Sequence, residues 1–485
     1  MSINGALNNA LSGLVAASRA AEVVSSNISN ALTEGYGRRE LRLSAVSMSG
    51  HGVGVRVDGI HRATDIELLT DRRAADAEFG SRDSLKSFFL SVEKSIGLPG
   101  EDGSLSARVN ELEASLIEAT SRPDSQPRLM SALRAAQGLS NTLNRITDDI
   151  QGLRQDADRE ISVMVSDLNT RLDKISALNR DIRLQIGSGH NASALMDQRQ
   201  AMIDSISAIV PIREMPGEHG EIALITTGGA ILLDGKAAKF EFDGVGVITP
   251  DMTRQSGSLG AISVNGEEID TLKAHHALMG GKLDALFRIR DTHAVNLQGS
   301  VDGFARDLME RFEDPNIDPT LGGSDPALFT DNGGKLDITD EIGLAGRISV
   351  SGLVDPEKGG DLWRLRDGIG AAAIGDAGDA TLLRRLADAL RSERIPSSGG
   401  FIAATRSASG LSSDLLSRAG AGRQNAEFDL SYAAARQQSL RAVELQNGVD
   451  SDHEIQQLLV VEQAYSANAR VVRAVDEMIE ELLGL

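Results

Sequence analysis

Apolar positions recur in heptad steps at both ends of this chain. From the N-terminus, steps of four and three select Ile3, Leu7, Ala10, Leu14, Ala17, Ala21, Val24, Ile28 and Ala31, all apolar. At the other end, steps of three and four select Leu458, Val461, Tyr465, Asn468, Val472, Val475, Ile479 and Leu482, where only Asn468 is polar. Such spacing predicts two helices, each with a narrow seam that a partner helix can fill. One stripe alone fits an amphipathic helix lying on its own domain. A matched pair at opposite ends points instead to pairing of the two helices with each other or with neighbouring chains. A polar Asn468 inside the seam would set register.

Between the ends the pattern changes three times. Residues 82–213 carry long runs at helical spacing, such as "DREISVMVSDLNTRLDKISALNRDIRLQI", with a break near Pro123 and Pro127. Residues 214–275 hold short β-type runs divided by Gly, Asp-Gly and Asn-Gly turns, which predict hairpins. Helix returns over 276–312, a turn-rich stretch fills 313–400, and helix resumes from about 401. The expected fold is mainly α with an inserted β region, α+β, in five segments. These are an axial helix and hinge (1–65), a helical part (66–213), an inserted β domain (214–275), a return segment, mixed then helical (276–449), and a second axial helix (450–485).

Charge sharpens the reading of the ends. Residues 1–33 contain two charged side chains, Arg19 and Glu22; Asn and Ser fill the other polar positions. A helix facing bulk water usually carries charge, so this face suits protein surroundings. The C-terminal helix crowds Asp476, Glu477, Glu480 and Glu481 into its last turns, where the macrodipole favours cations. Both ends are therefore expected to be weak alone and to order when neighbours bury them. The first helix runs into Gly35-Tyr36-Gly37, a hinge in which glycines permit sharp bends and Tyr36 anchors the turn; Arg38 and Arg39 then return the chain to polar surroundings.

The whole chain of 485 residues has 49 basic and 70 acidic side chains, a net charge of −21. Nucleic acid and anionic membranes would repel it. No run approaches the ~18 apolar residues of a membrane span, so no membrane insertion is expected. The N-terminus lacks the charged start and compact apolar run of a secretory signal. Cysteine is absent, which excludes disulfides and thiolate metal sites. Candidate chemistry is incomplete wherever it begins. His453-Glu454 starts a zinc motif, but Gln457 stands where the second histidine belongs. "GGAILLDGKA" has the wrong spacing for a phosphate loop, and Ala237 replaces its hydroxyl residue. His275, His276 and His293 read as surface groups, and Trp363 as a core anchor. No catalytic, metal or cofactor site is expected.

The stretch "LSGLVAASRAAEVVSSNISNALTEGYGRRE" resembles the N-terminal signature of the bacterial flagellar axial proteins, through Leu11, Ser12, Gly13, Leu14, Ala16, Asn27, Ile28, Asn30, Ala31, Thr33, Gly35, Tyr36 and Arg38. The Gly-Tyr-x-Arg ending resembles the hook-associated branch at the hook–filament junction more than rod or hook proteins. Glu34 stands where those proteins have proline. Further fragments are similar: Arg62 and Asp65 after "GVGVRV"; Pro123, Asp124 and Arg128; Asp197-Gln198-Arg199; Gly280 to Asp291; and a C-terminal motif carried by Gly448, Val449, Asp452, Glu454, Gln463, Tyr465, Ala467, Ala469 and Arg470. The resemblance implies a structural subunit joining flagellar hook to filament, polymerising through its terminal helices. It implies other copies of itself, hook protein, and a second junction protein or flagellin as partners. It also implies an export chaperone, the type III export apparatus, and an extracellular place in the flagellum without a cleavable signal peptide. Two alternatives remain: another axial protein of hook or rod, and an axial protein bearing an enzyme domain at 214–400.

Overall fold

The computed structural model describes residues 3–33, 35–48, 51–401 and 403–483; Glu34 lies outside them. Helix α1 (Ile3–Ser29) leads into a long antiparallel hairpin of β1 (Arg38–Met48) and β2 (His51–Ala63). A helical run follows: α2 (Ile66–Ile96), α3 (Leu105–Thr120), α4 (Gln126–Gly187) and α5 (Ser193–Ser207). Strands β3 (Ile212–Pro216), β4 (Ile222–Thr226), β5 (Ile231–Asp234) and β6 (Lys236–Ala237) form one antiparallel sheet in chain order. Strands β7 (Phe240–Phe242), β8 (Ile262–Val264) and β9 (Glu267–Ile269) form another. The return begins with α6 (Gly281–Arg288) and α7 (Ala294–Phe312), joined by a π-turn. A small-element region then holds β10 (Phe329–Asp331), α8 (Leu344–Arg347), β11 (Ile348–Val350), α9 (Arg364–Asp367) and α10 (Thr381–Arg391). Helices α11 (Ala408–Gln446) and α12 (Ser451–Leu483) finish the chain. No described helix is long and apolar enough to cross a membrane.

Local chemistry explains the main boundaries. The carboxylate of Asp65 caps α2 by accepting from the Leu68 amide at 3.0 Å. Gly97, at φ 83°, ends that helix. Ser104 caps α3 through the Ala107 amide. The break expected at the prolines falls at 121–125; Pro127 itself sits in the first turn of α4, where its missing N–H costs nothing. At 62 residues, α4 is about 93 Å long and serves as the spine on which the β region lies.

One hydrophobic core runs from Phe88 to Ala419. It joins Leu139, Ile161 and Leu172 of α4 to Leu224, Leu232, Phe240 and Ile262 of the strands and to Phe304 and Leu386 of the return. Segments 66–213, 214–275 and 276–449 therefore share a core. A buried charge cluster ties the strands' connecting loop to the spine. Arg154, fully buried, donates to the backbone oxygens of Arg290 (3.0 Å), Thr249 (3.2 Å) and Met252. Burial pushes Arg154 down to about 10, which still leaves it charged at neutral pH. Arg290 in turn bonds Asp158 at 2.6 Å and Asp291 at 2.8 Å. The buried apolar residues of α1 and α12 — Ala10, Ala16, Ala17, Val23, Val24 and Val475 — stand apart from this core.

Several expectations are corrected. Residues 38–63 form a hairpin, not a plain hinge: Leu41 pairs with Ile60 and Leu43 with Val57 in an alternating ladder. The turn-rich 313–400 stretch contains the amphipathic α10, and the following helix starts at Ala408. Trp363 is half-buried beneath the Arg364 guanidinium, 4.9 Å from its ring centroid, outside the main core. His276 is buried, its Nε2 3.0 Å from Asp284, and His293 packs edge-on against Phe89; only His275 is a surface group.

Candidate functional site

The two terminal helices lie antiparallel. Asn27 near the end of α1 meets Glu454 at the start of α12, and Gly13 meets Asn468. Of the predicted N-terminal seam, Ala10, Ala17 and Val24 are buried; Ile3, Leu7, Leu14, Ala21, Ile28 and Ala31 are half-buried. In α12, Val475 is buried and Leu458, Val461, Asn468, Val472 and Ile479 are half-buried. Tyr465 and Leu482 do not join the pair; both are exposed. Asn468 donates to the backbone oxygen of Ala464 at 3.0 Å, so its Nδ2 finds a partner within its own helix. Its side chain sits where a Cβ on Gly13 would come within 2.6 Å. Gly13 is what lets the two backbones approach at that level.

The hinge is a polar clamp closed by four segments. Asn27, 1% exposed, uses its whole amide. Its Oδ1 accepts from the Tyr36 hydroxyl (2.9 Å) and the Arg39 amide (3.0 Å). Its Nδ2 donates to the Arg39 carbonyl (2.9 Å) and Glu454 Oε2 (3.1 Å). Glu454, 2% exposed, also accepts from Arg38 Nε at 2.8 Å. A second carboxylate, Asp197 of α5, accepts from the Gly37 amide (3.0 Å), Arg62 Nε (2.6 Å) and Arg39 Nη2 (3.2 Å). Arg62 also bonds Gln200. Carboxylates largely withdrawn from water and paired this way hold geometry well, because losing one partner strands the other.

This clamp explains the Gly-Tyr-Gly spacing. Gly35 adopts φ 78° to leave the helix. Any Cβ at Gly37 would collide with the Arg62 side chain. The Arg39 guanidinium stacks 4.9 Å from the Tyr36 centroid. Arg38 and Arg39 thus do not return the chain to polar surroundings; they neutralise the buried Glu454 and the half-buried Asp197. Glu454, in sequence only the start of an incomplete zinc motif and a member of the C-terminal motif, is a buried partner of the hinge. Arg62, Asp197 and Gln200 were missed as members of this site. For Arg62 and Asp197 the signal was present, since both lie in the axial-family fragments.

Among the described residues, no group of three or more His, Cys, Asp or Glu could hold a metal ion.

Comparison with known proteins fits this geometry. The model for the flagellar hook-associated protein FlgK helical domain matches residues 91–316. The flagella basal body rod protein model matches 7–36, and the flagellar basal body rod FlgEFG protein C-terminal model matches 445–485. Flagellar hook-associated protein 1 of Bacillus subtilis is 24% identical over 515 aligned positions, covering 98% of this chain and 97% of the relative. Along nearly its whole length, the chain is similar to flagellar hook-associated protein 1. The Salmonella typhimurium member is 28% identical over 48% of this chain and 43% of its own, and the Escherichia coli member 25% over 48% and 44%. A solved hook junction protein FlgK from Burkholderia pseudomallei overlaps 54% of this chain and 46% of its own, at 18% identity and a TM-score of 0.44. The two rod-type matches fall on α1 with its hinge and on α12, the helices that the clamp joins.

Proposed function

We propose that this chain is the subunit on which the flagellar filament is joined to the hook, and that the α1–α12 pair is its assembly element. The observation that carries the reading is a second stripe on α12. Val460, Ala464, Ala467, Val471, Ala474 and Met478 follow heptad steps, are apolar, and are all exposed. They lie on a face turned away from α1. Val460 is 65% and Met478 47% exposed. A helix with one seam filled and a second left open is suited to a multi-helix wall built from neighbouring copies. The clamp sets the angle at which the pair leaves the body.

In this reading copies of the chain form the wall, hook protein lies on one side, and a second junction protein or flagellin on the other. Export through the type III apparatus with a chaperone, to an extracellular place without a cleaved signal, belongs to the same proposal. The weakly charged α1 and the cysteine-free sequence are compatible with passage as an unfolded chain. An enzyme-bearing role is not favoured, because 214–400 packs into the shared core around buried structural ion pairs. The test is electron microscopy of cells lacking the gene, with flagellin assayed in the medium. Hooks without filaments and shed flagellin are expected. Complete filaments would overturn the reading.

A further inference from the structure

Helix α11 carries a seam of its own, away from the terminal pair. Steps of four and three select Ala421, Asn425, Phe428, Tyr432, Ala435, Ser439 and Ala442, and all seven are exposed and uncharged. Phe428 (76%) and Tyr432 (65%) are the most exposed aromatic rings among the described residues of a chain in which aromatics are only 3%. The other side of α11 is committed to α2 by a ladder of ion pairs, Arg82–Asp429 (3.0 Å), Arg436–Glu78 (3.2 Å) and Arg441–Asp76 (3.2 Å). A solvated helix face in a protein with 25% charged residues would ordinarily show charge along such a length. This one shows two aromatic knobs on a floor of small residues.

A receptor of matching chemistry lies at the same height on a different face. Helices α2 and α6 border a groove of about 260 Å³. Leu85, Pro211 and Met279 give it apolar walls, and Ser81, Arg82 and Arg288 also line it, the two arginines paired with Asp429 and Asp284. Its height is fixed by the ladder: Tyr432 falls between Asp429 and Arg436, whose partners Arg82 and Glu78 both line the groove. A ring of copies related by rotation brings one face of each subunit against a different face of the next at equal height.

We infer that Phe428 and Tyr432 of one copy seat in the α2–α6 groove of the neighbouring copy, a heterologous contact in the layer above the terminal helices. The occupant is a second copy of this chain because knob and groove share a level, and because the two exposed rings match the apolar walls of Leu85, Pro211 and Met279. Pairing of α11 with α11 would instead set bare rings against small residues and leave the groove open. The inference rests on the proposal that copies assemble side by side.

The cysteine-free sequence allows a direct test. Chains carrying Ala435→Cys alone and Ser81→Cys alone are co-expressed in cells lacking the native gene, and isolated flagella are treated with a short bis-maleimide crosslinker, which adds one thiol at each end. The expected result is a mixed Ala435–Ser81 dimer in flagella, absent from the unassembled chains. Dimers only of Ala435→Cys with itself, or no dimer on flagella that bear filaments, would overturn the inference while leaving the junction reading intact. The second variant is Phe428→Ala/Tyr432→Ala. It should keep the melting temperature of the monomer and lower the fraction of hooks bearing filaments at least tenfold; an unchanged fraction would overturn the inference. Failure of the junction reading itself is separable, since cells lacking the gene would then carry full filaments.

Discussion

At the scale of single residues, the account rests on amides and carboxylates whose bonding capacity is used in full. Asn27 is the clearest. Replacing it by alanine strands the Arg39 amide and carbonyl, the Tyr36 hydroxyl and one oxygen of Glu454. A loss of about 2–4 kcal/mol in local stability is expected. Hydrogen exchange of amides in 23–40 and 451–460 should quicken in the Asn27→Ala chain while amides of α4 keep their rates. A second residue-scale prediction concerns Asp302 in α7. Burial pushes it up to about 6, against amide bonds from Ala345 and Gly343 that favour its charged form. Because the folded value exceeds the unfolded one near 3.8, its contribution is greatest below pH 4 and fades as pH rises through 6. It should be about 1 kcal/mol more stabilising at pH 5 than at pH 7. Urea titrations of the Asp302→Asn chain should lose that increment relative to the native chain; equal pH slopes would contradict the assignment.

At the scale of elements, the long helices and their seams were legible because heptad and 3.6-residue periods persist over many turns. Neither period reports what lies across the chain. The β1–β2 hairpin escaped because Arg, Ser and Gly interrupt its alternation and two register shifts break it. The four-residue helices α8 and α9 are too short to show any period. The clamp was half visible: Gly35, Tyr36 and Gly37 announced a bend, but the acids that close it come from residues 197 and 454. Tyr465 and Leu482 satisfy the seam spacing yet remain exposed in a lone chain, because α12 has a single neighbouring helix over most of its length. Since α12 adds nothing to the main core, deleting 450–485 should leave residues 66–449 folded. Their melting temperature should stay within a few degrees, measured by circular dichroism, while assembly is lost. Collapse of the remaining helicity would refute the separation of layers.

At the scale of the molecule, one body and one protruding element divide the work. The body, from Phe88 to Ala419, is stapled by the Arg154–Arg290 cluster. The α1–α12 pair stands outside that core and presents an open apolar stripe. Its last turns carry Asp476, Glu477, Glu480 and Glu481, all exposed, so α12 of one copy beside α12 of the next would repel. The weakly charged outer face of α1 is the better neighbour. The measurement that tests this most directly is electron microscopy of gene-deleted cells complemented with the Val471→Glu chain. Val471 lies on the open stripe and not against α1, so the monomer should fold normally. The account predicts bare hooks, with the folded variant and flagellin released into the medium. Filaments in ordinary number on those hooks would contradict it.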